Sequence, residues 1–235
     1  MCNVDKVLFC GDIHGELKKL LFLATQKYKL ANACIIICGD FGIGFGDSQS
    51  IDMMCDNTVK RRMKENNLYI KVVRGNHDDP SYFDGNHNTD RIELLQDHVP
   101  FEVLGKTIYP IGGATSIDKE IRLKYNRENK KGHKFWWGGE NVTKLDIDKL
   151  PNKVDIIVSH EAPLNFDPVL VSRDNMSSDI YEAIRDDRKY LSEVENNVIY
   201  SRWFYGHYHN SFSGSNRSDT LTRGLDIMEL FLLEE

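Results

Sequence analysis

Five times along this chain a short apolar run stops close to a glycine or serine, and charged or imidazole side chains follow. The runs are Val7-Leu8-Phe9-Cys10, Ile35-Ile36-Ile37-Cys38, Ile70-Lys71-Val72-Val73, Ile156-Ile157-Val158 and Trp203-Phe204-Tyr205. Short β-branched or aromatic runs bounded by Gly predict buried strands. After the first run, Leu17, Leu20, Leu21, Ala24 and Tyr28 fall at the spacing of one buried helical stripe. A polar helix is expected from about Ser50 to Asn66, then a strand ending at Arg74. This β-α-β-α-β opening predicts a doubly wound α/β layout. Residues 91–95, 101–104 and 107–111 predict further strands, with Gly105-Lys106 as a hairpin turn because Gly supplies positive φ. A helix is expected from about Asp179 to Asn196, with Asp179 and Glu182 in capping-box spacing. Alternation through Leu225, Ile227 and Glu229 predicts closing strands.

The polar segments behind the runs carry the chemistry. They read Gly11-Asp12-Ile13-His14-Gly15, Gly39-Asp40-Phe41-Gly42, Gly75-Asn76-His77-Asp78, Ser159-His160-Glu161-Ala162-Pro163 and Gly206-His207-Tyr208-His209. In an open α/β sheet, ligands bind in the crevice beyond the carboxyl ends of the strands. Carboxylate, imidazole and amide oxygen, with no thiolate among them, are donors for hard-to-borderline divalent ions. Seven such donors exceed what one tetrahedral ion takes and suit two ions sharing a carboxylate. The spacing of Asp12 to His14 and of His207 to His209 places both members of each pair on one side, if the backbone there is extended. Helix capping could account for Asp12 and Asp40 but not for the histidines behind the other runs. His87, His98 and His133 stand outside the motifs and receive no role.

In this order the motifs resemble those of the calcineurin-like metallophosphoesterase superfamily: D-x-H, G-D, G-N-H-[DE], H and G-H-x-H, from Asp12 to His209. The resemblance implies an αββα sandwich of two sheets with the active site at the C-terminal strand ends. It implies that Asp12, His14 and His209 bind one metal ion, that Asn76, His160 and His207 bind a second, and that Asp40 bridges both. His77 would touch the phosphoryl group and protonate the leaving oxygen, and a His pKa near working pH suits that task. Relatives orient this histidine with a residue three positions after the bridging Asp. That position is Ile43 here, which leaves Asp78 or a backbone carbonyl to do so. The motifs lack the D-R-G, G-N-H-E and H-G-G of the Ser/Thr protein phosphatases, and the segment from Ile111 through Arg122 resembles one in small bacterial and phage-type members.

The segment at about 116–140 carries Lys119, Arg122, Lys124, Arg127, Lys130, Lys131 and Lys134 and reads as a basic loop inserted in a single domain spanning 1–235. Arg122 is expected to grip phosphate as a planar fork, with Lys119 or Lys124 as substitutes and a solvated loop as the plain alternative. Trp136 and Trp137 could stack a base, but core packing or a lid is the simpler reading. A net charge of −6 argues against generic binding of duplex DNA. No apolar run approaches the ~20 residues of a membrane span. Five cysteines with no C-x-x-C pair suit a reducing cytoplasm. The expected activity is hydrolysis of a phosphodiester or of a nucleotide or oligonucleotide by attack of a metal-bound hydroxide. A phosphorylated small molecule is the alternative substrate, and an inactive metal-bound scaffold the alternative from another class. Manganese is the expected activator, though the same donors admit iron, zinc, nickel or magnesium.

Overall fold

The computed structural model describes residues 3–166, 176–215 and 220–234. Strand β1 (Lys6–Cys10) leads into helix α1 (Leu17–Phe22), which continues as a π-helical turn, Leu23–Lys27. Next come β2 (Ala33–Ile37), α2 (Ser50–Cys55), α3 (Asn57–Glu65), β3 (Leu68–Val72) and β4 (Ile92–Leu94). The second half holds β5 (Phe101–Val103), β6 (Lys106–Ile111), α4 (Lys119–Glu128), β7 (Ile156–Ser159) and α5 (Ser178–Asn197). It closes with β8 (Arg202–Tyr205), β9 (Phe212–Gly214), β10 (Leu221–Gly224) and β11 (Leu230–Leu232).

These strands form two sheets. The first has the order β11-β1-β2-β3-β4 and is parallel except for β11. The second has the order β5-β6-β7-β8-β10-β9, with a parallel centre and antiparallel edges β5 and β9. Side chains alternate across each strand and so sort the core into layers. Leu8, Cys10, Ile35, Ile37 and Ile70 face Leu17 and Leu20 of α1 and Val59 and Met63 of α3. Phe9, Ile36 and Cys38 point the other way, against Ile156, Val158 and Phe204 of the second sheet. Phe9 and Phe204 stack between the sheets, ring centres 3.7 Å apart and 7° from parallel. Trp203 and Tyr205 cover the outer face of the second sheet beneath Leu191 and Val194 of α5. The expected two-sheet α/β sandwich is therefore present. Inner strands covered on both faces have little solvent side, which is why β2 and β7 run almost wholly apolar, while β3 buries Lys71 against Glu93.

Several boundaries differ from expectation for local reasons. The helix expected from 50 to 66 breaks at Asp56, whose extended backbone (ψ 131°) lets its carboxylate accept from Thr58 N and Val59 N as the cap of α3. Tyr28 ends the first helical stripe half exposed, because the π turn shifts its phase. The cap of α5 is Ser177, two residues before the capping-box position. The hairpin turn is Leu104-Gly105, both at positive φ (49° and 69°). Residues 225–229 form a turn between β10 and β11, and their alternation does not mark a strand. Ten residues of the basic segment are α4. Charge hides this helix in the sequence, since Arg122 is its buried residue. No helix among the described residues is long and apolar enough to cross a membrane.

Candidate active site

Strands β1, β2, β3, β7 and β8 end on one side of the sandwich, and their loops bring the motif residues together. Asp12 Oδ2 accepts from His209 Nε2 at 3.0 Å, and His14 Nε2 lies 3.8 Å from the same oxygen. The two sides of Asp40 face different partners. Its Oδ1 is 3.1 Å from His160 Nε2, while its Oδ2 is 3.8 Å from both His14 Nδ1 and His77 Nε2. Asn76 Oδ1 joins the His160 side, 3.0 Å from Nε2. Three sets of donors converge within 4.8 Å: Asp12, His14 and His209; Asp12, Asp40 and His160; and His14, Asp40 and His77. His207 belongs to none of these sets. Its ring packs edge-on against His160 at 4.9 Å, and its Nε2 is 3.9 Å from Glu161 Oε2.

The extended backbone assumed for the two-residue spacings is absent. His14, Asp40, His207 and His209 adopt φ of 45°, 51°, 69° and 49°, in the left-handed region. Sharp turns, not a pleat, aim these side chains inward. Such conformations carry strain of order 1–3 kcal/mol each and concentrate at functional sites.

Burial and charge set the protonation of the cluster. Burial opposes the charged form of His160, yet Asp40 and Asp12, with hydrogen bonds to Asp40 and the Cys38 carbonyl, push its pKa up to about 10. Burial also works against ionised Asp40, but His160 and His77 hold its carboxyl well below the usual range. His207 is driven down to about 3, first by burial and then by the charge of His160. Two buried carboxylates thus face inward among imidazoles and an amide oxygen, a donor set that demands positive charge and fits divalent ions.

The sequence profile of the calcineurin-like phosphoesterase family matches residues 5–211, most of the chain and all five motifs. The protein is a calcineurin-like phosphoesterase. Among solved structures it is similar to a dimetal phosphatase of Danio rerio, at 13% identity and a TM-score of 0.50, over 96% of this chain and 88% of that one. A phosphopantetheinyl hydrolase of Mycobacterium tuberculosis aligns over 97% and 91% of the two chains, at 12% identity and a TM-score of 0.47. No curated protein matches the chain. The matched family makes this chain a metal-dependent hydrolase of phosphoesters, and the convergent donors are where its metals can bind.

Other predicted residues lie beside the convergent donors. Arg122 is buried, and its guanidinium reaches His77 Nε2 at 2.6 Å, the Asn76 carbonyl at 3.1 Å and Asp118 at 2.6 Å. Lys119 and Lys124 are engaged elsewhere, over the Trp136 ring and beside Glu128. Trp137 packs near Phe45 and is buried, as the core reading expects. Burial, partly offset by Asp40 and reinforced by Arg122, brings His77 down to about 4. Asp78 does not orient the His77 ring. Its carboxylate instead accepts from the backbone N–H groups of Phe41, Gly42, Ile43 and Gly75, and so ties two motif loops together. Phe45 supports the ring, stacking on His77 at 4.3 Å. No local pattern marks Phe45, because its contact joins loops far apart in the chain.

Two glycines are required by close approach. A Cβ on Gly75 would lie 2.1 Å from Asp40 Oδ1 and 2.2 Å from Asp40 N, and one on Gly39, at φ 104°, would lie 2.1 Å from His160 Nδ1. Gly75→Ala is therefore expected to weaken metal binding although Gly75 offers no ligand, and to lower stability by about 1–3 kcal/mol through overpacking. Metal analysis with a thermal melt checks this. Normal metal content in the variant would mean that Asp40 can move without loss.

Proposed function

We propose that this chain hydrolyses phosphodiester or nucleotide-type substrates with two divalent ions held at the strand ends. The observation that carries this reading is Asp40, whose two oxygens face two separate donor groups, as a bridging carboxylate requires. Asp12, His14 and His209 form the first group. Asn76 and His160 form the second, and His207 reaches it from beside His160. Bound there, the ions would neutralise charge on the phosphoryl oxygens and make the attacking water acidic enough to ionise near neutral pH. We take manganese as the activating metal, because nitrogen and oxygen donors without thiolate bind first-row ions in common and availability decides.

The protein's own groups manage the rest of the reaction. Arg122 donates to His77 Nε2, so that nitrogen is an acceptor while the pair stays together. A phosphoryl oxygen is a stronger, charged acceptor for the guanidinium. Substrate would draw Arg122 off His77 and leave Nε2 free to carry the proton that the leaving oxygen needs. The site opens into a cavity of about 500 Å³, with Asp40, Asn76 and His77 at one end and Ile117, Leu164 and Ile184 along its wall. That volume lies in the range of small-molecule sites and accepts an organic arm of nucleoside size. It favours a diester or nucleotide over a compact monoester. The residues 1–235 would act as one domain, in the cytoplasm, where buried thiols such as Cys10 and Cys38 remain reduced.

Arg122→Ala is expected to lower kcat/KM by about one to three orders of magnitude while metals stay bound, with Arg122→Lys recovering part of the loss. The deciding test is a hydrolysis panel with manganese: para-nitrophenyl phosphate, its bis-ester, cyclic dinucleotides, dinucleoside polyphosphates and single-stranded RNA. Turnover of diesters or nucleotides above the simple monoester supports the reading. Turnover of the monoester alone returns a small-molecule phosphatase, and none on any substrate a scaffold.

A further inference from the structure

Asn76 is the one proposed ligand whose two ends differ. Its amide presents an oxygen to a metal ion only in one orientation, and the opposite orientation presents an NH₂ group that cannot ligate. Something must distinguish the ends. On the outer side, Asn76 Nδ2 donates to Ser116 Oγ at 3.0 Å, and both residues are buried. Ser116 Oγ in turn donates to Glu140 Oε2 at 2.5 Å, and Ser116 N donates to Glu140 Oε1 at 3.1 Å. A hydroxyl has one proton. With that proton committed to Glu140, Ser116 Oγ meets Asn76 with lone pairs, which accept the amide NH₂ and repel the amide oxygen.

Glu140 is itself held rigidly. It is 1% exposed, and Arg74 donates to the carbonyls of Gly139, Glu140 and Asn141 at 2.9, 3.0 and 3.0 Å. The Glu140 carbonyl also accepts from Ala114 N at 3.0 Å. The chain of contacts thus runs from a fixed backbone through Glu140 and Ser116 to the outer end of Asn76.

We infer that Ser116 and Glu140 are positioning residues that set the amide of Asn76 so that its oxygen faces the metal site. This rests on the proposed role of Asn76 as a ligand. Glu140→Gln makes the inference sharp, because it keeps the shape and reverses the polarity. The Gln oxygen is needed by Ser116 N, so its NH₂ faces Ser116 Oγ and donates. The Ser116 proton must then find an acceptor, and Asn76 offers one once its amide has turned, oxygen outward and NH₂ towards the metals.

Titration calorimetry of manganese into the wild type, Glu140→Gln, Ser116→Ala, Asn76→Asp and the Glu140→Gln/Asn76→Asp double variant tests this, with circular dichroism to verify folding. The wild type is expected to take up two ions. Glu140→Gln should keep the first and bind the second about 10–100-fold more weakly, the usual effect of losing a supporting hydrogen bond to a ligand. Ser116→Ala should lose less, since a missing hydroxyl permits the correct orientation whereas Gln enforces the wrong one. Adding Asn76→Asp to Glu140→Gln should restore the second ion, because a carboxylate offers oxygen at both ends. Asn76→Asp alone should gain no affinity, its outer oxygen meeting the Ser116 lone pairs. That arm needs no change at Glu140 and decides the matter if the Gln variant fails to fold. Wild-type affinity for the second ion in Glu140→Gln, no rescue by Asn76→Asp, or tighter binding by Asn76→Asp alone would each overturn the inference. A wild type that takes up fewer than two ions would overturn the reading of the site on which it rests.

Discussion

Asp40→Asn is expected to abolish turnover and leave the chain with at most one tightly held ion. The two carboxylate oxygens face different donor sets, and each is 3.8 Å or less from an imidazole nitrogen of its set. A shared anion between two divalent charges also screens their mutual repulsion, which grows as separation falls. Asn offers one oxygen and no charge, so it can serve one side at best and screens nothing. The variant should remain folded, since Asp78 independently ties the Asp40 loop to Gly75 through four backbone hydrogen bonds. Metal analysis beside a rate measurement checks this. Two ions per chain with near-normal turnover would remove Asp40 from the bridge.

The second large effect concerns His77. His77→Ala is expected to lower turnover by about 10²–10⁴-fold with metal content close to wild type, the usual worth of a positioned general acid. The loss should shrink when the leaving group is para-nitrophenolate, which departs without a proton. The structure makes this more than a formality, because His77 converges with His14 and Asp40 within ligand distance. Loss of one ion in the variant would therefore assign His77 to metal binding. An equal loss for good and poor leaving groups would exclude proton donation and leave His77 as a phosphate contact.

The strands and the donor residues were legible in the sequence because each motif is contiguous and follows an apolar run, so the rule of ligands at strand ends assembles them without further information. Their spacing does not work through an extended backbone. Left-handed turns at His14, Asp40, His207 and His209 aim the side chains, and although Asp and His are enriched at positive φ, residue type alone does not say which of them adopt it. Arg122 could be singled out but not separated from Lys119 and Lys124, because burial on α4 distinguishes them and charges are spread around that helix. Phe45, Ser116 and Glu140 were illegible for a different cause. Each acts through a contact to a residue more than 20 positions away, and no local pattern records such pairs. Glu161 stands in its motif with no mark of its own contacts, buried, accepting from the Tyr208 hydroxyl and lying 3.9 Å from His207 Nε2.

The need for two ions is read from the rate of bis-para-nitrophenyl phosphate hydrolysis as manganese is added stepwise to metal-free protein. Little activity is expected with the first equivalent, and the rate should then climb to a plateau at two per chain. A plateau already reached at one equivalent, or no hydrolysis at any metal loading, would contradict it.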